Sequence, residues 1–96
     1  MTRKEPIAGE FQINAMPNPF SGSTNISFVT TGGPVDIRIF DVLGRQVRNL
    51  SAPVGGSIDI PWDGRTNGGE PAASGVYFCR VSSAAGQAVR RLVLVR

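Results

Sequence analysis

In the run Val35-Asp36-Ile37-Arg38-Ile39-Phe40-Asp41, Val35, Ile37 and Ile39 fall on one side of an extended chain, while Asp36 and Arg38 fall on the other. Side chains alternate faces in this way only in a strand, so the period of two dictates a sheet with one dry face and one wet face. The same period recurs in Phe11, Ile13 and Ala15, in Ile26 and Phe28, and in Ile58, Ile60 and Trp62. Turn formers cut these runs short: 12 glycines and 7 prolines in 96 residues leave little room for a helix, and no helical period longer than a turn occurs. Short alternating runs separated by turns predict one all-β domain of about seven antiparallel strands, stacked as a sandwich of two sheets.

Residues 1–9 are polar, contain Pro6 and Gly9, and read as a linker or frayed tail, which leaves residues 10–96 as the domain. The first strand, residues 11–16, is an edge strand stopped by Pro17-Asn18-Pro19. A second spans residues 24–30, and the strand at 35–41 turns through Val42-Leu43-Gly44 into a polar hairpin partner at 45–50. Gly44 supplies the positive φ such a turn requires. After a turn at residues 53–56, Ile58, Ile60 and Trp62 share one face of the next strand, and Pro61 on the other marks an edge, because proline cannot donate to a ladder. Residues 64–74 are too polar and glycine-rich for regular structure. The strand at 75–81 is apolar on both faces until Arg80, as in the middle of a packed sheet, and the last strand covers residues 87–96.

Several chemistries are excluded at once. The chain has no histidine, so it lacks the commonest general base and the commonest metal ligand, and its one cysteine, Cys79, forms no internal disulfide and no cysteine-based metal cluster. The residues call for no cofactor, and Asp36 and Asp59 fall on wet strand faces rather than in a pocket, so an enzyme is not expected. Net charge is +3, with the basic residues scattered among seven carboxylates, a solvated surface rather than a nucleic-acid interface. No stretch approaches the roughly 20 apolar residues of a membrane span. The first 20 residues have no apolar central region of a secretory signal, which an exported parent would carry upstream.

Five motifs in order, Pro17-Asn18-Pro19-Phe20, Phe40-Asp41-Val42-Leu43-Gly44-Arg45-Gln46-Val47, Trp62-Asp63-Gly64-Arg65, Ala73-Ser74-Gly75-Val76-Tyr77-Phe78 and a basic-then-apolar ending, resemble two overlapping families over residues 11–96. One is the immunoglobulin-like domain named after the flagellar hook-capping protein. The other is the type A carboxy-terminal sorting domain of the type IX secretion system. The resemblance implies an immunoglobulin-like sandwich in a secreted or cell-surface bacterial protein. Its partners would be the secretion machinery at the outer membrane, often with later removal of the domain by a sortase, or neighbouring domains of the parent protein. The isolated domain is expected to be monomeric.

Chemistry assigns each motif a place. The two prolines fix φ and remove two donors where the chain leaves one sheet for the other. Asp41 is placed to cap free amides in the turn that Gly44 completes, Asp63 to do the same before Gly64, and Trp62 to lie across the core. Tyr77, two residues before Cys79, stands at the spacing of a tyrosine corner, or packs on the core with its hydroxyl at the rim. Cys79 reads as a small buried hydrophobe. Asp63, Asn67 and Glu70 read as a solvated turn, with a weak calcium site as the sharper alternative. Arg90 and Arg91 read either as a docking signal for acidic partners or as a solvated pair whose stems cover the last strand. The exposed edges also invite strand addition by a partner. A structural spacer module is the second reading of function, and glycan binding has little support because the one tryptophan is expected in the core.

Overall fold

The computed structural model describes residues 12–30, 33–52, 56–83 and 86–96, so the expected tail at residues 1–9, Phe11 and parts of the turns near 31, 54 and 85 lie outside the described residues. Seven strands follow in chain order: β1 (Ile13–Met16), β2 (Thr24–Thr30), β3 (Asp36–Phe40), β4 (Gln46–Ser51), β5 (Gly56–Trp62), β6 (Gly75–Ser83) and β7 (Gly86–Leu94). They form a three-stranded sheet in the order β1-β2-β5 and a four-stranded sheet in the order β4-β3-β6-β7, antiparallel throughout. The chain crosses between sheets after β2, after β4 and after β5, as a two-layer sandwich with immunoglobulin-like connectivity requires.

The alternation read from sequence is the alternation of burial. Ile13, Ile26, Phe28 and Ile58 point inward from one sheet, and Ile37, Ile39, Tyr77, Cys79, Val81, Leu92 and Leu94 from the other. Trp62 is wholly buried between them, tilted against Phe20 with ring centroids 5.6 Å apart and edge-on to Tyr77 at 5.5 Å. Such offset and edge contacts set the positive ring edge against the negative ring face. Burial pushes the Cys79 thiol up to about 12, so it stays protonated and inert in the core.

Pro61 lies on β5, an outer strand, where its missing N–H spoils no ladder. β6 is internal, between β3 and β7, but its second face is not packed: Val76 is half-buried and Phe78 is 36% exposed. The apolar residues there belong to an open outer face of the four-stranded sheet, where the Arg80 guanidinium stacks 4.9 Å from the Phe40 ring. The described residues form two layers, so an internal strand of this sheet has one core face rather than two.

Candidate functional site

The chain leaves β1 at Met16 and does not return directly to β2. Pro17 and Pro19, each preceded by a cis peptide bond, carry it out to the free side of β7 in the opposite sheet. There the Asn18 amide stands in for a strand residue: its Nδ2 donates to Arg91 O at 2.9 Å, and its Oδ1 accepts from Val93 N at 2.9 Å. Phe20 continues the pairing, donating to Val93 O at 2.9 Å and accepting from Val95 N at 2.8 Å, in a parallel bridge to Leu94. Phe20 then buries its ring against Trp62, and Thr24 Oγ1 donates back to Pro17 O at 2.6 Å as β2 begins. Proline suits this detour because a residue with no N–H leaves no donor unpaired where the segment faces away from the sheet. The corner expected here from sequence is therefore also a brace along β7.

Where the brace begins, a groove of about 460 Å³ opens, lined by Asn18, Pro19, Val89, Arg90, Arg91 and Val93. Arg91 lies on the outer face in register with Phe78. Arg90 has the parity of Leu92 and Leu94 and so belongs to the inner face, yet it is exposed. Neither guanidinium has an ion pair among the described residues. The groove is cationic on both sides of one strand.

The other candidates lie elsewhere. Asp41, Gly44 and Arg45 form the β3–β4 turn, separated from β7 by β6. Asp41 Oδ1 accepts from the N–H of Leu43 and of Arg45, each at 2.9 Å, Arg45 Nε reaches Asp41 Oδ2 at 2.8 Å, and Gly44 takes φ 81°. The Arg45 N–H above all holds the Asp41 carboxyl below the usual carboxylate range; burial opposes it as the next largest effect, and the Arg45 side chain and the Leu43 N–H add to the lowering. A carboxyl depressed in the fold contributes stability above its unfolded value of about 4 and loses it as pH falls through the lower folded value. Asp41→Asn should therefore flatten the acid limb of a melting-temperature profile below about pH 4. An unchanged limb would show that the turn does not depend on this charge.

Gly75 opens β6 opposite Leu94, and the Tyr77 hydroxyl donates to Ala73 O at 2.6 Å, which ties the strand to the loop before it in the manner of a tyrosine corner. Burial first, then the Asp41 charge, pushes the Tyr77 phenol up, so the hydroxyl remains a donor. Residues 64–74 are held by arginines the sequence did not single out. Arg48 Nη1 donates to Asp63 Oδ1 and Arg65 O, each at 3.0 Å, while Arg96 donates through Nε to Ala72 O at 2.8 Å and through Nη2 to Gly64 O at 2.6 Å. Asp63 Oδ1 also accepts from Arg65 N at 3.0 Å, and Trp62 Nε1 donates to Arg65 O at 2.9 Å.

Asn67 is committed to the fold. Its N–H donates to Val47 O at 3.0 Å and its Oδ1 accepts from Asn49 N at 3.1 Å, which covers the free side of β4 as Asn18 covers that of β7. Asp63 and Asn67 are thus both engaged within the fold, and residues 63–70 cover the edge of β4. The only hint in the sequence was an asparagine in a glycine-rich loop.

Similarity to known proteins falls on this same frame. The family described as the secretion system C-terminal sorting domain matches residues 14–95. No curated protein matches. Among solved structures, dimeric latent PorU from Porphyromonas gingivalis superposes with a TM-score of 0.67 at 26% identity, over 86% of this chain and 9% of that one. PorZ of the same organism, described as an essential surface component of its type-IX secretion system, superposes with a TM-score of 0.63 at 22% identity, over 88% of this chain and 11% of that one. The chain thus spans about a tenth of either protein.

Proposed function

Since this chain belongs to the family of secretion-system C-terminal sorting domains, we propose that the groove beside β7, where Asn18 and Pro19 meet Arg90 and Arg91, is the face by which the type IX machinery recognises it. The domain itself is a non-catalytic sorting module of a secreted or cell-surface bacterial protein. The observation that carries the reading is the groove: Arg90 and Arg91 stand exposed on opposite faces of one strand, unpaired among the described residues, beside a rigid brace. Unpaired guanidiniums are suited to charge-assisted hydrogen bonds with a partner's carboxylates. The turn at Asp41, Gly44 and Arg45 and the corner at Gly75 and Tyr77 shape the sandwich that holds this face. The parent protein supplies the export signal and whatever activity is delivered, and the detached domain is monomeric on this reading.

The test is a fusion of residues 1–96 behind a periplasmic reporter in a type IX-competent host. The unaltered fusion should reach the surface or medium, and the double substitution Arg90→Glu/Arg91→Glu should leave the reporter in the periplasm with the melting temperature unchanged. Export of the doubly reversed fusion at full yield would remove these arginines from recognition.

A further inference from the structure

The Asn18–Phe20 brace covers only half of the free side of β7. Along that side Arg91 O, Val93 N, Val93 O and Val95 N are all taken by Asn18 or Phe20. By the two-residue period of a strand, the Arg91 N–H and both backbone groups of Val89 and Gln87 face the same way, because the intervening residues pair with β6. None of these five groups has a partner among the described residues. Two of the other three outer strands are guarded, β5 by Pro61 and β4 by Asn67. Among the described residues the half-edge from Gln87 to Arg91 is left open, it runs straight into the groove, and it is flanked by Arg90 on one face and Arg91 on the other.

We infer that this open half-edge is where the recognising partner adds an extended strand, in line with Phe20, with acidic side chains placed against Arg90 and Arg91. The inference rests on the sorting reading above and specifies its partner: a β-strand rather than a folded acidic surface. The five free backbone groups supply the affinity of strand addition, which is independent of sequence, and the two guanidiniums, one above and one below the strand plane, select carboxylates at adjacent positions of the incoming chain, whose side chains point to opposite faces. The groove admits side chains at the end of the added strand, where the Pro17–Pro19 corner stops it and fixes its register. Exposed Val89, 58% accessible, offers an apolar contact to the same strand.

The decisive variant is Val89→Pro. The Val89 N–H points away from β6, so proline removes a donor from the open side and sets its ring there, without breaking the ladder inside the sheet. In the reporter fusion the folded Val89→Pro chain should lose about tenfold or more in export, since one hydrogen bond and the close approach of a strand are lost together. An unchanged melting temperature establishes that the fold is intact. If this variant melts early, Gln87→Pro tests the next outward donor in the same way. Export of a well-folded Val89→Pro or Gln87→Pro fusion at the unaltered yield overturns strand addition. Loss on Arg90→Glu/Arg91→Glu with both proline variants silent also overturns it, in favour of a charged surface docking without backbone pairing. A failure of the unaltered fusion to leave the periplasm, by contrast, refutes the sorting reading itself.

Discussion

Trp62→Ala is expected to destabilise the domain by about 3–5 kcal/mol. The side chain is wholly buried, contacts Phe20 from the brace and Tyr77 from β6, and donates from Nε1 to Arg65 O at 2.9 Å. Alanine would leave a cavity bordered by both sheets and remove one of the two donors to the Arg65 carbonyl, Arg48 Nη1 being the other, so transfer, cavity and hydrogen-bond effects act in one direction. A domain of this size has about 5–15 kcal/mol in total, so the loss should move the urea midpoint steeply with little change in its slope. Circular dichroism is the suitable readout, because the substitution removes the only tryptophan. A change below about 1 kcal/mol would mean that the sheets close over the gap, and Trp62 would not be the anchor of the core.

Gly64→Ala should be the next most damaging change. Gly64 has φ 71°, and a methyl there would lie 2.9 Å from Arg96 Nη2 and 3.1 Å from Gly22 O. The conformation alone costs a non-glycine residue roughly 1–3 kcal/mol. The Arg96 side chain can swing aside, but only by giving up its bond to Gly64 O, and Gly22 O is backbone that must shift bodily. A double-mutant cycle with Arg96→Ala separates these effects. In the Arg96→Ala background the penalty at position 64 should shrink, yet most of it should remain, since φ and Gly22 O are unaffected. A penalty that vanished there would assign the whole effect to the side-chain clash. Thermal melts are the measure, with about 4–8 °C expected per kcal/mol.

What could be read in advance followed local rules. The buried faces of β2, β3 and β5 are visible in Ile26 and Phe28, in Ile37 and Ile39, and in Ile58 and Trp62, because a strand exposes its pattern every two residues. The Asp41–Gly44 turn was legible because an aspartate and a glycine three residues on satisfy that turn's needs among themselves. Asn67, Arg48 and Arg96 were not legible. Each acts on backbone groups of a segment distant in sequence, as when Arg96 reaches Gly64 O across 32 positions, and no local spacing records such a pairing. The solvated outer face of β6 was misread for a related reason: Val76 and Phe78 look like core residues, and only the absence of a third layer leaves them open. At the groove, the motif Pro17-Asn18-Pro19-Phe20 could be placed at a corner, but the strand it would brace could not be named.

That brace binds the beginning of the domain to its end. Asn18 bonds to Arg91 and Val93, 73 and 75 positions further along, so the groove comes into being only when both termini of the fold are present together. A ribosome still making β6, or a protease that has trimmed the chain back past Arg91, leaves a chain in which Asn18 has nothing to clasp. On the proposed reading, a recognition face at this groove would double as a check on completeness, displayed only by copies that hold Asn18 and the strand through Val93 together.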